Sequence, residues 1–424
     1  MIAIKPQKIK NSAVTVPGSK SYTHRMLIAA ALSDGSCTIE NCLKSEDTVL
    51  TQNALQQMGI EIDERNGKVV VHGTNGAIKP CNDPVYLANS GTSMRLLTSV
   101  AALGDGIYKL TGTKRMCKRP IQDLIDGLNL IGVQARCVNN DGCPPVEIMG
   151  GTVQGGRLSL KCDISSQYLS SLLLIAPYSD EGIEVQVIKG PVSKPYIDMT
   201  VDIMTKFGVQ VERDGYTWFK ISGGQTYRSG TYAVEPDCSQ AGYFWAAAAI
   251  TGATIKVKGI SRDSRQGDAR FTEVLESMGC STFHEKDGIT VSGGTLSPIE
   301  VDMADMPDIV PTLAIVAAFA KGTTVINNVA HLKAKESDRL GAVTKELSKI
   351  GIKATATDNT LTIKGGHPVA PESGRAVIET YHDHRIAMSF AVAGLVVPGI
   401  FIRDEKCVDK SFPDFWNIFK GLYG

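Results

Sequence analysis

The sequence predicts an α/β protein of two domains, each containing three copies of a βαβαββ unit. At 424 residues the chain is longer than one hydrophobic core usually supports, so two domains are expected. A pattern of strand, polar stop, apolar helix, Gly-bearing turn and second strand occurs six times. The polar stops recur at intervals of 69 to 75 residues, so the six units divide most naturally into two groups of three. The stops are at Ser21, Ser90, Ser165, Ser239, Asp308 and Asp383.

The two helices of each unit differ in character. The first, such as SGTSMRLLTSVAAL, is short and so apolar that it must be buried, and it opens with Ser or Asp, which are preferred N-cap residues. A run rich in β-branched residues, such as IEVQVIKG, then predicts a strand. The second helix, such as YIDMTVDIMTKFG, has apolar residues at three- and four-residue spacing and ends at Gly, which predicts one buried and one solvated face.

Composition and charge exclude several classes of function. Lys plus Arg equals Asp plus Glu, 44 against 44, so there is no overall positive charge to bind nucleic acid. The first residues alternate apolar and polar and do not resemble a signal peptide, and stretches such as LAIVAAFA are too short to span a bilayer. Ten cysteines occur without a C-x-x-C pair. We therefore expect a cytoplasmic protein with no membrane segment, disulfide, metal or cofactor.

Positively charged residues cluster at or near the predicted helix starts, where free N–H groups and the helix dipole favour anions. Each of them alone is more often a structural ion pair or a neighbour of a helix cap. Together, in a neutral protein, they predict a cleft for a ligand with several negative charges. The spacing of a P-loop and that of a dinucleotide fingerprint are both absent, which argues against a nucleotide. These residues are Lys20, Arg25, Arg95, Arg119, Lys194, Lys335, Arg339, Arg385 and Lys410.

The motifs VPGSKSYTHR, NSGTSMR, KRPI, SSQY, VSKPYID, QGDAR, MPDIVPT, KESDRL, YHDHRIAM and KSFPDF resemble those of the EPSP synthase family, in the family's order and over almost the whole chain. The resemblance implies an enolpyruvyl transferase fold, an inside-out α/β barrel of two domains joined by a double crossover. One domain is expected to comprise residues 1–18 and 236–424, and the other residues 19–235. The active site is expected in the cleft between them.

The resemblance also implies two sets of binding residues. Those for shikimate 3-phosphate are Lys20, Ser21, Arg25, Ser165, Ser166, Gln167, Ser193, Tyr196, Asp308, His331 and Lys335. Those for phosphoenolpyruvate are Lys20, Asn89, Gly91, Arg119, Gln167, Arg339, Arg385 and Lys410.

The implied reaction is transfer of the enolpyruvyl group to the 5-hydroxyl of shikimate 3-phosphate, through a tetrahedral ketal, in the shikimate pathway to chorismate and the aromatic amino acids. Such a transfer requires two acid/base groups that flank the reacting carbons. We expect Asp308 at the hydroxyl and Glu336 at the methylene carbon, with Lys20 and His384 assisting. The cations are expected to stabilise the departing phosphate without a metal. The expected partners are the two small substrates alone, bound by a monomer.

Two positions depart from the family pattern. His331 is Asn in some relatives, and Leu96 is Pro in many, which predicts a shift of Gly91 and weaker binding of glyphosate, an inhibitor that mimics phosphoenolpyruvate. Two alternatives remain at this point. A UDP-N-acetylglucosamine enolpyruvyl transferase would carry a reactive Cys in a loop of the first half, and no Cys here has that context. A repeat scaffold or an RNA-end-binding protein is disfavoured by the zero net charge.

Overall fold

The computed structural model describes residues 1–370 and 372–423, and the chain divides into two compact units. The split unit comprises residues 1–17 and 236–424, and the continuous unit comprises residues 18–235. The boundary lies one residue before the predicted one, because Gly18 packs in the continuous unit. A Cβ atom on Gly18 would lie 2.0 Å from the backbone oxygen of Asn41, so only glycine fits where the chain enters this unit.

Most of the helices lie in the predicted regions. Within the described residues, none is both long and apolar enough to cross a membrane. The α-helices are α1 Lys20–Leu32, α2 Glu46–Gln57, α3 Gly91–Ala101, α4 Gln122–Leu130, α5 Gln167–Ile175, α6 Pro195–Lys206, α7 Cys238–Thr251, α8 Phe271–Ser277, α9 Val310–Phe319, α10 Arg339–Ser348, α11 His384–Ala393 and α12 Phe415–Lys420.

The strands are short and alternate with these helices. They are β1 Ile2–Ile4, β2 Ser12–Val14, β3 Ser36–Glu40, β4 Glu61–Arg65, β5 Lys68–His72, β6 Val85–Tyr86, β7 Ile107–Thr111, β8 Gln134–Cys137, β9 Val146–Met149, β10 Gly156–Lys161, β11 Ile183–Lys189, β12 Glu212–Asp214, β13 Trp218–Ile221, β14 Thr231–Ala233, β15 Thr254–Lys258, β16 Ser281–Glu285, β17 Gly288–Ser292, β18 Glu300–Asp302, β19 Gly322–Asn327, β20 Lys353–Ala356, β21 Thr360–Gly365, β22 Ala376–Ile378 and β23 Ile400–Ile402.

Within the described residues, five repeats form a four-stranded sheet of the same topology, and the last forms the three-stranded sheet β1-β23-β22. In the second repeat the strand order is β6-β7-β9-β8, with the first pair parallel and the other pairs antiparallel. The same order recurs in β10-β11-β13-β12 and in β18-β19-β21-β20. A parallel pair requires a crossover, and the buried first helix of the repeat supplies it. The βαβαββ pattern therefore describes the observed repeat.

The strand before α1 belongs to a different sheet from the one expected from chain order. Residues 12–14, which precede α1, form β2 and pair in parallel with β15 of the split unit. The first strand of the α1 repeat is instead β14, from the end of the continuous unit, which pairs in parallel with β3. The last repeat is completed by β1, which pairs antiparallel with β23. These pairings between strands that are distant in sequence arise because the chain starts in the split unit and returns to it after residue 235.

The predicted helix starts are correct at two stops and shifted at the other four. Ser90 and Asp383 are confirmed as N-caps that accept backbone N–H bonds. The cap of α1 is Ser19 rather than Ser21, and the cap of α7 is Asp237 rather than Ser239. In both cases the upstream side chain has extended backbone geometry and accepts the N–H bond three residues on.

At the remaining two stops the helix begins after the predicted residue. Helix α5 begins at Gln167, whose N–H donates to Ser165 Oγ at 3.2 Å. Helix α9 begins at Val310, so Asp308 lies in the turn before the helix. The side chain of Asp308 is bonded to arginines and is not a cap.

Each unit has one hydrophobic core, built from the first helices of its repeats. In the continuous unit α1, α3 and α5 are almost fully buried, and in the split unit α7, α9 and α11 are. The second helices show the mixed burial expected of a surface helix. Because the buried helices pack side by side, their starts lie near one another, and the polar stops are thereby brought together within each unit.

Candidate active site

Lys20 begins α1 and lies in a buried ion pair. Its side chain is only about a tenth exposed, and Nζ lies 3.1 Å from Asp47 Oδ2 at the start of α2. Ser21 follows it on α1, half-buried. Asp47 is nearly fully buried, so a cation beside it offsets the cost of burying its charge. The ammonium of Lys20 is thus held at the helix start, where an incoming anion would compete with Asp47 for it.

At the start of α3, the side chains of Arg95 and Arg119 lie close to Gly91. Arg119 Nη1 donates to the backbone oxygen of Asn89 at 3.1 Å, and its side chain is 5% exposed. A Cβ atom on Gly91 would lie 2.5 Å from Arg119 Nη2 and 2.6 Å from Arg95 Nη1. Any larger residue would displace these guanidinium groups. The backbone of Gly91 and the two arginines therefore present N–H donors together at one helix start.

Leu96 lies in the interior of α3, buried at 1% exposure. Its backbone oxygen and that of Arg95 face the hydroxyl of Ser171 on α5, at 3.5 Å and 2.6 Å. A proline at position 96 would remove one backbone N–H from the helix interior. Leu96, the position where many relatives have Pro, thus lies in the helix that begins at Gly91, about one turn from Gly91.

Arg25 is buried and uses its donors within the continuous unit. Nε donates to Thr200 Oγ1 at 2.7 Å, and the terminal nitrogens donate to the backbone oxygens of Ser21 at 3.0 Å and Tyr196 at 3.1 Å. Burial lowers the pKa of Arg25 to about 10, so it stays charged at neutral pH. Arg25 therefore connects the start of α1 to α6 and fixes the position of Tyr196.

The third repeat places its predicted residues in two turns. Ser166 is buried, and Gln167 Nε2 donates to Thr92 Oγ1 of α3 at 3.0 Å. Ser193 is buried and has a positive φ of 56°, an uncommon conformation for a non-glycine residue. Tyr196 follows at the start of α6, half-buried. Strained polar residues of this kind cluster at functional sites.

Arg339 is the centre of the polar cluster in the split unit. It begins α10 and is 1% exposed. Its Nη1 donates to Asp308 Oδ1 at 2.8 Å, its Nη2 to Glu336 Oε2 at 2.8 Å and its Nε to Asp383 Oδ2 at 2.9 Å. Burial disfavours the charged guanidinium, but Asp383, then Glu336 and Asp308, raise its pKa above the ordinary value. One buried cation thus holds both predicted acid/base carboxylates.

Asp308 is held by a second arginine. Arg385 Nη2 donates to Asp308 Oδ2 at 2.8 Å, and Lys335 Nζ lies 3.9 Å from Oδ1. Burial alone would raise the pKa of Asp308, but the charges of Arg385, Lys335 and Arg339 hold it well below its usual range. Asp308 is therefore ionised at neutral pH, with a low affinity for protons.

The other predicted residues of the split unit surround this cluster. Burial, and then Lys335, lower the pKa of His331 to about 3, so this imidazole is neutral. The side chain of His384, which begins α11, is fully buried, with Nδ1 3.9 Å from Asp383 Oδ1. Lys410 ends the 3-10 helix Glu405–Lys410 and is 5% exposed.

Two carboxylates that support the predicted residues were not identified from the sequence as site residues. Asp47 pairs with Lys20, and Asp383 pairs with Arg339 and also accepts from Ser337 Oγ at 2.9 Å. Asp383 was predicted only as a helix cap. An acidic residue at a buried helix start beside a basic motif is the signal that could have identified both.

One group of possible metal ligands occurs within residues 1–370 and 372–423. It consists of Glu61, Asp63 and His72 on β4 and β5 of the continuous unit. Asp63 already accepts from Arg65 at 2.7 Å, which reduces its availability to a cation. None of these residues belongs to the predicted site.

Comparison with known proteins identifies the family. The sequence profile described as EPSP synthase (3-phosphoshikimate 1-carboxyvinyltransferase) matches residues 4–419. The chain belongs to the EPSP synthase family. It is 42% identical to the 3-phosphoshikimate 1-carboxyvinyltransferase of Syntrophobacter fumaroxidans over 99% of both chains. It is also 42% identical to that of Methanoculleus marisnigri, over 98% of this chain and 96% of the relative.

Solved structures agree with this family. An EPSP synthase from Acinetobacter baumannii superposes with a TM-score of 0.82 and 31% identity, over 99% of this chain and 98% of the other. The enolpyruvyl transferase NikO from Streptomyces tendae superposes with a TM-score of 0.78 and 20% identity, over 99% and 96% of the two chains, and supports the fold alone. The predicted two-domain enolpyruvyl transferase fold is thereby confirmed.

Proposed function

We propose that this chain transfers the enolpyruvyl group of phosphoenolpyruvate to the 5-hydroxyl of shikimate 3-phosphate and releases phosphate. Family membership over residues 4–419 supports the reaction. The observation that carries the residue assignment is the buried cluster in which Arg339 and Arg385 together hold Asp308, with Glu336 on the same Arg339. It provides two carboxylates for proton transfer and two guanidinium groups for anions, as the reaction requires.

Binding groups are proposed in both units, most of them at or near helix starts. In the continuous unit, the backbone at Gly91 and the guanidinium of Arg119 suit the carboxylate or phosphate of phosphoenolpyruvate. Lys20 suits an anionic group of either substrate, because it belongs to both predicted sets of binding residues. The hydroxyl-bearing residues Ser166 and Ser193 suit the phosphate of shikimate 3-phosphate.

The proposed chemistry has two steps whose protons balance. In the addition, Glu336 first takes up a proton from solvent and delivers it to the methylene carbon of phosphoenolpyruvate, while the 5-hydroxyl oxygen bonds to the adjacent carbon and its proton passes to Asp308. In the elimination, Glu336 recovers a proton from the new methyl group, the bond from carbon to phosphate oxygen breaks, and the hydroxyl proton leaves with phosphate. Lys20, Arg119, Arg339, Arg385 and Lys410 are proposed to offset the charge of the departing phosphate.

Binding of the anionic substrates is proposed to activate Asp308. Without substrate its charge is shared with Arg385, Lys335 and Arg339, which lowers its proton affinity. A phosphate or carboxylate that takes over one of these cations removes part of that stabilisation. The proton affinity of Asp308 then rises at the moment when the hydroxyl must be deprotonated. Lys20 is proposed to assist by its charge, and His384 by its position beside Asp383.

Catalysis without metal or cofactor, a monomeric state and a cytoplasmic location remain predictions. Binding of glyphosate, and its weakening by Leu96, are predictions of the same kind. For partners, we propose that the chain binds the two small substrates and does not bind nucleic acid. The equal numbers of basic and acidic residues support the second part.

Deuterium exchange separates the proposed roles of the two carboxylates. Parent enzyme with both substrates in deuterated water should place deuterium in the methylene group of phosphoenolpyruvate, because protonation there is reversible. Glu336→Gln should suppress this labelling, and both Glu336→Gln and Asp308→Asn should lower turnover by about 10²–10⁴-fold. Asp308→Asn should retain some labelling, since its group acts at the hydroxyl.

Glu300→Gln provides the matched control, because Glu300 is an exposed carboxylate of the split unit bonded to Asn327 Nδ2 at 2.9 Å. It should label and turn over like the parent. Equal labelling in Glu336→Gln and the parent would show that another group delivers the proton, and would refute the role assigned to Glu336.

A further inference from the structure

Asp268, in the QGDAR motif, is a buried carboxylate that the proposed chemistry does not use. It lies in the 3-10 helix Gly267–Arg270 and is 4% exposed. Ser239 Oγ donates to its Oδ2, whereas Oδ1 has no hydrogen-bond partner within the described residues. A buried acceptor without a partner is costly for an ionised carboxylate and less so for a protonated one.

The segment carrying Asp268 is fixed firmly to the start of α7. Gln266 Oε1 accepts from the backbone N–H of Cys238 at 3.1 Å, and Gln266 Nε2 donates to the backbone oxygen of Pro236 at 2.8 Å. Gln266 is itself 6% exposed. The position of Asp268 is therefore set by buried hydrogen bonds on both sides of the α7 cap.

The same face of α7 contacts the Asp308 cluster. Ser239, Gly242 and Tyr243 are three and four residues apart, so they share one helix face. A Cβ atom on Gly242 would lie 2.6 Å from the side chain of Ile309, which follows Asp308. Tyr243 Oη accepts from Arg385 Nη1 at 3.5 Å, and Arg385 also bonds Asp308. Asp268 thus contacts this face of α7 directly, and Asp308 is linked to the same face through Ile309 and Arg385.

The charged groups acting on Asp268 from the surrounding elements are Asp308 in the turn before α9, Arg385 on α11 and Asp237 at the α7 cap. Burial, and then the charge of Asp308, raise the pKa of Asp268 to about 7, against the opposing effects of Arg385 and the Ser239 hydrogen bond. The pKa of Asp308 is shifted in the opposite direction. Two neighbouring carboxylates whose proton affinities are pushed apart titrate as a pair.

We propose that Asp268 is a positioning residue whose own protonation, by exchange with solvent, sets the proton affinity of Asp308 during enolpyruvyl transfer. With the proton on Asp268, Asp308 has one less negative neighbour and is the weaker base. When Asp268 loses that proton to solvent, Asp308 accepts the hydroxyl proton more readily. The proposal rests on the role of Asp308 given above.

Carbon-13 NMR of carboxyl-labelled aspartates in the substrate-free protein tests the coupling of Asp268 to Asp308 directly. The parent should show a carboxyl that titrates near pH 7, and this resonance should be missing in Asp268→Asn. In Ser239→Ala the midpoint should rise, because a hydrogen bond to the charged form is lost. In Asp308→Asn the midpoint should fall, because the neighbouring negative charge is gone.

Kinetics test the consequence for Asp308. The ratio of kcat/KM between parent and Asp268→Asn cancels the substrates' own ionisations, which are common to both enzymes. This ratio should be close to one below the transition and rise to about tenfold above it, as a coupling of about one pKa unit requires. Asp123→Asn is the matched control: Asp123 in the continuous unit also has a raised pKa, from burial and then Asp163, and should give a flat ratio.

A ratio that does not change with pH would show that Asp268 is merely structural and would overturn the proposal. A midpoint that Asp308→Asn leaves unchanged, with turnover lost in that variant, would refute the coupling of Asp268 to Asp308 but not the role of Asp308. Full turnover in Asp308→Asn would refute the role of Asp308 itself, and the proposal with it.

Discussion

Replacing Arg339 with methionine should destabilise the split unit by about 3–5 kcal/mol at pH 7, the range for removing one partner of a buried ion pair. Arg339 is 1% exposed and donates to Asp308, Glu336 and Asp383 at 2.8 to 2.9 Å. Methionine retains much of the side-chain volume, so a cavity contributes little. The loss comes from three carboxylates that each lose a charge-assisted hydrogen bond.

The lower end of this range is expected, because the carboxylates keep other partners. Asp308 retains Arg385 at 2.8 Å, and Asp383 retains Ser337 Oγ at 2.9 Å and the backbone N–H of Arg385 at 3.0 Å. The destabilisation should also depend on pH. In the parent the pKa of Asp308 is depressed, so its contribution to stability is present above the unfolded-state pKa of about 4.

Burial raises the pKa of Asp308, and the positive charge of Arg339 is one of the effects that lower it. Removing Arg339 therefore raises the folded-state pKa of Asp308. In the variant Asp308 can then lose its buried charge by taking up a proton, whereas in the parent Asp308 stays ionised between pH 5 and pH 7. The difference in unfolding free energy between parent and variant should therefore be smaller at pH 5 than at pH 7.

Urea unfolding followed by tryptophan fluorescence measures this difference. A Trp218→Phe background leaves Trp245 and Trp416, both in the split unit, as the only tryptophans. Arg403→Met is the matched control, because Arg403 pairs with Glu379 at 3.1 Å while 60% exposed, and it should cost about 0–1 kcal/mol. A loss for Arg339→Met no larger than that of the control, or one equal at both pH values, would refute this reasoning.

Three further results are expected. Gly91→Ala should raise the KM for phosphoenolpyruvate about tenfold or more, because the new Cβ would lie 2.5 Å from Arg119 Nη2, whereas Gly366→Ala, with no neighbour within 4 Å, should behave like the parent in steady-state kinetics. Iodoacetamide at pH 7 should leave turnover unchanged, because no cysteine is among the residues proposed for binding or proton transfer, and burial raises the pKa of Cys42 and Cys162 to about 12; rapid inactivation that substrates prevent would contradict this. Turnover should survive EDTA, and a loss restored by a divalent cation would show that catalysis needs a metal.

The sequence was sufficient to predict the repeats because their periodicity is strong and local. Short apolar helices alternate with amphipathic helices that end at a glycine. The glycines at these ends, such as Gly59 and Gly208, have positive φ values of 86° and 87°. The helix starts were less predictable, because several polar residues precede each apolar run. At Ser19 and Ser21, or Asp237 and Ser239, only backbone geometry decides which side chain caps the helix.

The electrostatics of the site could not be predicted from sequence. Arg339 contacts Asp308 and Asp383, which are 31 and 44 residues away, and these contacts depend on how α9, α10 and α11 pack. Their positions at predicted helix starts of the fifth repeat identified Asp308 and Glu336 as acid/base candidates. Only the tertiary structure shows that one buried arginine holds both carboxylates. Only the tertiary structure shows that Asp268 lies beside α7 with an acceptor that lacks a partner within the described residues.

Phosphate release from the purified chain tests the central claim most directly. With phosphoenolpyruvate and shikimate 3-phosphate together, phosphate should appear in equal amount to the enolpyruvyl product. With either substrate alone, or with UDP-N-acetylglucosamine in place of shikimate 3-phosphate, none should appear. Phosphate release that does not require shikimate 3-phosphate, or that UDP-N-acetylglucosamine supports equally well, would contradict the proposed function.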